Sequence, residues 1–413
     1  MIGLGAFAAC DGATPEEVVP PCAESVVPGA PFGTRCGQLV DAKGRVVILR
    51  GVNARVEGIF DVTFDDGRTA LEPIPPIDAT DFEAMKRWGF DALRLPINWS
   101  ALEPTETGGF DEAYLDRVEG VVDLADAADV VVLLDLHEDA YSKEIGEDGA
   151  PLWAIRPPPP MLLEGPLEDL AARRLSGPVL DAFETFFGPS ADGAYLRERF
   201  AAAAEHVAQR FAHHPAVMGV EIFNEPLADD AGIARLNDAA YARVHAAAPD
   251  KLYLFEPPAT RNLIDTATIG TASIGPLSVY APHVYTYAFA ADAGAIPLTK
   301  DDLARSNLRA REEASGWHAP LVITEWGFDP KLPNAPDYFR FEQEAQDEAM
   351  ASSFFWVWKE SSQGAWGCFD HDDVGGAFSE RAATRAALAH VRPSRVALPA
   401  RVRVRRGGEG ASR

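Results

Sequence analysis

The chain has 413 residues, 47% of them hydrophobic and 24% charged, which is ordinary globular usage and enough length to bury a large core without covalent staples. Its formal net charge of −26 excludes nucleic acid and an anionic membrane surface as the main partner. A neutral substrate fits, and so does the blander reading that the acidity serves solubility.

The chain opens with an apolar run, Met1 to Ala9, that ends in small residues and Cys10. This resembles a bacterial lipoprotein signal, although it is short and has no basic n-region; the alternative is an ordinary tail. The expectation is a secreted or lipid-anchored extracytoplasmic protein. Residues 1–38, rich in Pro, Gly and Ala, read as a signal remnant and linker. Cys22 and Cys36 flank a Pro/Gly-rich stretch there, either as two inert thiols or as a disulfide contributing roughly 3 kcal/mol. No cysteine sits in a CxxC pair, so the sequence does not support a zinc ribbon.

Strand-like and helix-like stretches then alternate, the sequence mark of a parallel α/β sheet. The strand candidates are Val46–Leu49 running into Gly51-Val-Asn53, Ala92–Leu95, Val130–Leu136, Val217–Phe223, Leu252–Phe255, Leu277–Ala281, Leu321–Thr324 and Phe354–Trp358. Thr80 and Glu83 form a capping box for a helix running to about Trp88, and Asp111 caps the next helix. Apolar residues at helical spacing mark Tyr195–Phe211 and Leu236–Ala248. Eight strands with helices between them predict a (β/α)8 TIM barrel, assigned to residues 39–390. Residues 138–193 form a long insertion after the third strand. The segment 391–413 is a solvated tail with seven arginines and one Glu.

In such a barrel, chemistry happens at the C-terminal ends of the strands. Polar residues fall at those ends here: Arg94, His137, Asn224 and Glu225, His283 and Tyr285, then Glu325. Trp358 closes the last strand, as a sugar platform or as core packing. One Glu at a strand end is often only a loop ion pair. Two Glu at separate ends, with His, Arg, Asn and Tyr at others, form a polar mouth. Paired carboxylates suit glycoside hydrolysis, where one donates a proton to the leaving oxygen and the other attacks the anomeric carbon or activates water. Arg94 and Tyr285 suit the neighbourhood of an ionised nucleophile, and Asn224 suits a sugar 2-hydroxyl.

At these residues the chain resembles glycoside hydrolase family 5. The resemblance rests on Asn224-Glu225-Pro226, on Thr324-Glu325-Trp326-Gly327, and on the ordered set Arg94, His137, Asn224, Glu225, His283, Tyr285, Glu325 and Trp358. It implies a retaining β-glycosidase with Glu225 as acid/base, Glu325 as nucleophile, carboxyl groups about 5–5.5 Å apart, and neither metal nor cofactor. Within the family the chain looks most like the endoglycoceramidase group, through Asp135 to Ser142, Phe183 to Phe187, Phe200 to Glu225 and Phe255-Glu256-Pro257. That likeness implies a glycolipid substrate cleaved between sugar and ceramide, with Asp139 binding the first sugar. It also implies contact with a membrane or micelle surface; the working unit is read as a monomer. The chain departs from the group at Glu138, where Gln is usual, and near the first strand, where Arg55 stands in for a lysine. After the barrel the sequence reads as a short arginine-rich tail, where the group usually carries a C-terminal β-sandwich.

The insertion residues Trp153, Met161, Leu162, Leu163, Phe186 and Phe187 either line a groove for the lipid aglycone or pack the insertion on the barrel. A glucosidase or endoglucanase acting on a small or steryl glucoside or an oligosaccharide is the alternative enzyme. A metal hydrolase using His137, Glu138, Asp139 and His283 lacks an HExxH motif. A non-catalytic carbohydrate-binding barrel would normally have lost one Glu.

Overall fold

The computed structural model describes residues 24–268, 270, 272, 274–361, 366–372 and 376–389. The run at residues 1–10, Cys22 and the arginine tail lie outside them. Cys36 is disulfide-bonded, and Cys368 is a buried free thiol. Among the described residues, no helix is long and apolar enough to cross a membrane.

Eight parallel strands close a barrel. They are β1 Arg50–Asn53, β2 Ala92–Ile97, β3 Val131–Leu136, β4 Val217–Ile222, β5 Leu252–Phe255, β6 Ser278–Tyr280, β7 Val322–Trp326 and β8 Ser352–Phe355. From β1 to β6 each pairs with its sequence neighbour, β7 pairs with β8, and β8 returns to β1. The seam between β6 and β7 is broken by Pro282, which has no N–H for the ladder. It is bridged at Tyr280–Leu321 and by the short segment His283–Val284, which pairs with β7. Thr324 Oγ1 donates to the Ala281 carbonyl in that gap at 3.3 Å. The strands read as unbroken apolar runs because both of their faces are covered, and β2 and β4 are buried along their whole length.

Alternation along the strands builds the site. Ala92, Leu133, Leu254, Val279 and Val322 belong to one apolar cluster inside the barrel. Two residues further along the same strands, and therefore on the same face, stand Arg94, Asp135, Glu256, Ala281 and Thr324. The interior thus passes from apolar at the bottom to charged at the mouth. Phe32 and Leu39, from an N-terminal hairpin of Gly33–Arg35 and Gln38–Val40, join the apolar layer and plug the bottom.

Helix starts follow local chemistry. The first outer helix is Ala79–Trp88, and its capping box is Asp78 with Asp81 rather than Thr80 with Glu83. Asp111 caps Glu112–Ala127 by accepting from the Tyr114 amide. The insertion carries a 3-10 turn, Leu152–Ala154, and two α-helices, Leu170–Arg174 and Gly177–Phe187. Phe186 and Phe187 are buried against Phe200 and Phe223, so they are core and not groove. Trp153 packs edge-on against Trp99, and Leu163 packs against a small cluster of Phe60, Val62 and Leu71. Met161 is 72% exposed.

Candidate active site

The turn after β4 sets the first carboxylate. Phe223 and Glu225 both take left-handed backbone, with φ of 63° and 44°, an unfavourable conformation for side chains of this size. The Glu225 amide donates to Glu256 Oε2 at 3.0 Å, which holds that turn. Glu225 Oε1 accepts from Asn262 Nδ2 at 2.6 Å and lies 2.9 Å from His283 Nδ1.

The second carboxylate is set by a register shift. The β7–β8 pairing slips between Ile323 and Trp326, and such bulges re-aim side chains. Glu325 Oε1 accepts from Arg94 Nη1 at 2.6 Å, and Glu325 Oε2 accepts from the Tyr285 hydroxyl at 2.8 Å. One oxygen of Glu225, one of Glu325 and a ring nitrogen of His283 lie within 4.8 Å of one another. That spacing suits direct attack by one carboxylate; an inverting pair stands about 6.5–9.5 Å apart to admit water.

Arg94 is the centre of the floor and has no exposed surface. Its guanidinium also donates to Asn53 Oδ1 at 3.0 Å, to Asn224 Oδ1 at 2.8 Å and to Glu221 Oε2 at 2.6 Å, and it pairs with Asp135 at 3.0 Å. Because an arginine only donates, the Asn224 oxygen must face it, which leaves the Asn224 amide NH2 for the cavity. His137 Nδ1 lies 2.6 Å from Asp135 Oδ2. Burial and the Arg94 charge push the His137 pKa down to about 4, so its ring is neutral at pH 7.

Burial alone would raise the Glu225 pKa. The His283 hydrogen bond and charge, with Arg174 and His137, outweigh it and hold Glu225 below the usual carboxylate range. Burial likewise opposes the His283 imidazolium, but Glu256 and Glu325 lift its pKa well above the usual value. The Tyr285 hydroxyl is pushed well up by burial and by Glu325, so it stays a donor.

Of these groups, His137, Asn224, Glu225, Tyr285 and Glu325 line a cavity of about 420 Å³, together with Arg55, Asp139, Glu147, Leu167, Leu170, Arg174, Phe289, Trp356, Glu360 and Trp366, while Arg94 and His283 are not among its lining residues. Trp358 is not among them. It is 1% exposed, packs against Trp88 and Phe369, and donates from Nε1 to Asp81 at 3.0 Å. Trp356 lines the cavity instead and stacks on His137 with centroids 5.8 Å apart. The reason is a boundary: β8 stops at Phe355, so the first residue past the strand faces the mouth and Trp358 folds back beneath the first outer helix.

Asp139 is paired with Arg174 of the insertion, which also reaches Glu147. Arg174, Asn262, Glu360 and Trp366 carried no motif and were not expected. The inward charges Asp135 and Glu221 break apolar strands, which was their available signal. Arg55 is at the cavity but engaged with Glu72 at 2.5 Å and Glu360 at 3.1 Å. Glu138 is fully buried with both oxygens lacking a hydrogen-bond partner among the described residues, and burial pushes its pKa well up. As a neutral acid it is a near match in shape for the Gln that the resemblance implies. Two groups have spacing for a cation, Glu225 with His283 and Glu325, and Glu221 with Glu256 and His283. A cation in either would face the Arg94 guanidinium, which already neutralises Glu325 and Glu221.

Residues 40–362 match the family model for cellulase, glycosyl hydrolase family 5. Endoglycoceramidase I of Rhodococcus hoagii (strain 103S) is 30% identical over 316 residues, which are 70% of this chain and 61% of that protein. The chain thus spans less than two thirds of that relative. A solved endogalactoceramidase superposes with a TM-score of 0.72 at 27% identity, covering 87% of this chain and 84% of the other. Endo-glycoceramidase II from Rhodococcus sp. superposes with a TM-score of 0.68 at 25% identity, over 85% of this chain and 80% of the other.

Proposed function

Since the chain belongs to glycosyl hydrolase family 5, we propose that it is a retaining glycosidase of endoglycoceramidase type, cleaving the β-bond between a glycan and a lipid aglycone. The observation that carries this is the close facing of Glu225 and Glu325 across one cavity, with Arg94 and Tyr285 both on Glu325. Glu325 attacks the anomeric carbon, and the electron pair of the breaking bond goes to the glycosidic oxygen. Glu225, once protonated, gives that oxygen its proton, and then takes one from the water that hydrolyses the glycosyl-enzyme. Arg94 and Tyr285 fix the attacking oxygens, while the Asn224 amide addresses the neighbouring hydroxyl.

The glycolipid reading is supported by the names of the relatives and by the cavity edge. Leu167, Leu170 and Phe289 give it an apolar wall, and Leu263 and Ile264, which follow Asn262, are 76% and 61% exposed. We read these residues as the face that meets a lipid or micelle surface. The disulfide at Cys36 fits an extracytoplasmic compartment. The test is incubation with lactosylceramide, glucosylceramide and cello-oligomers. Intact lactose and ceramide from the first supports the reading; products from the oligomers alone would overturn the glycolipid part.

A further inference from the structure

Behind the acid/base stands a second buried carboxyl that the reaction does not touch. Glu256, at the end of β5, accepts the Glu225 amide on Oε2, and its Oε1 is 3.4 Å from His283 Nε2. The other face of the same imidazole, Nδ1, is 2.9 Å from Glu225 Oε1. Glu256, His283 and Glu225 therefore form a chain with one end sealed in the barrel and the other in the cavity. Glu256 Oε1, Glu221 Oε1 and His283 Nε2 are all buried without a hydrogen-bond partner among the described residues, and the three residues cluster. One oxygen of each Glu and one ring nitrogen of His283 lie within 4.8 Å of one another, with Arg94 Nη2 3.6 Å from Glu256 Oε1, and a proton held among them lowers the desolvation cost of the cluster.

We propose that Glu256 is a positioning residue for the acid/base, deciding through His283 which member of the Glu225–His283 pair holds the shared proton. This rests on the assignment of Glu225 as acid/base. The proton on His283 Nδ1 passes to Glu225 Oε1 and its electron pair stays on Nδ1, so imidazolium and carboxylate become imidazole and carboxylic acid. No proton leaves the site. An ionised Glu256 beside Nε2 holds the imidazolium and blocks the transfer; a neutral Glu256 releases it.

The other titratable and charged groups around the pair are Arg94 from β2, Asp135 from β3, His137 just after it, Glu221 from β4, Tyr285 after β6, Glu325 from β7 and Arg174 from the insertion. Burial, assisted by Glu221, pushes Glu256 up to about 8, against His283 and Arg94. Below that pH the acid form prevails and Glu225 can be loaded. As the pH rises through about 8, the carboxylate forms and Glu225 is left ionised.

The experiment is kcat/KM against pH for wild type and Glu256→Gln, with an alkyl β-lactoside that needs acid help and a 2,4-dinitrophenyl β-lactoside that does not. Glu256→Gln moves the basic limb up by about one pH unit on the alkyl glycoside and leaves the shape of the other profile unchanged. An unmoved limb, or an equal loss on both substrates at every pH, overturns the proposal. If Glu256→Gln does not fold, 15N-histidine spectra of the wild type decide: His283 must report a step near pH 8 from Glu256, and its absence overturns the proposal. Failure of the underlying assignment looks different, because Glu225→Ala would then lose equally on both glycosides.

Discussion

The two carboxylates face one cavity but are held by different parts of the molecule. Glu325 is gripped by Arg94 on β2 and Tyr285 after β6, both buried in the barrel floor. Glu225 is held by Asn262 on a short helix after β5 and by His283, with the Arg174 charge arriving from the insertion. The proposed nucleophile is thus held in place by the framework, whereas the proposed acid/base depends on a shared proton and on a loop. The contrast suits the chemistry: a nucleophile keeps one charge state, and an acid/base must change twice per turnover.

The sharpest break of this comparison is Glu325→Ala. Turnover falls by roughly 10⁴-fold or more. Added azide restores part of it as the α-glycosyl azide, which product NMR identifies. Near-normal activity would remove Glu325 from its role. Glu225→Ala comes next. The loss is about 10²–10⁴-fold on alkyl glycosides and much smaller on dinitrophenyl glycosides, where the leaving group needs no proton. Equal losses would mean that the acid side is no different from the nucleophile side.

The barrel and most of the mouth were legible in the sequence because a parallel strand buried on both faces reads as an apolar run, and its polar terminus stands out against it. Arg94, His137, Glu225, His283 and Glu325 were found that way. Trp358 misled because the apolar run Phe354 to Trp358 continues past the end of the strand, and hydrophobicity does not say where a ladder stops. Arg174 and Asn262 were invisible for another reason. They reach the site from loops, and no periodicity ties a loop residue to a distant carboxylate.

The two tryptophans separate those cases experimentally. Trp358→Ala empties a packed site between Trp88 and Phe369 and costs about 3–5 kcal/mol, read as a lowered denaturation midpoint with little change in KM. Trp356→Ala leaves the midpoint nearly unchanged and lowers kcat/KM by about tenfold through the lost sugar platform. The opposite pattern would return Trp358 to the site.

The smallest effect probes the loop side. Leu170 lines the cavity on the same short insertion helix that ends in Arg174. A charge at Leu170 would be placed where, on the proposed reading, an apolar aglycone has to pass, on an element that does not carry the Glu325 partners Arg94 and Tyr285. Leu170→Asp is therefore expected to lower kcat/KM on lactosylceramide by about tenfold, equivalent to the burial of one or two methylene groups. The same variant keeps wild-type rates on dinitrophenyl lactoside, whose small aglycone does not extend to the insertion. Parallel losses on both substrates would mean that the change acts through Arg174 and the Glu225 charge. The insertion would then govern the acid's electrostatics rather than the lipid.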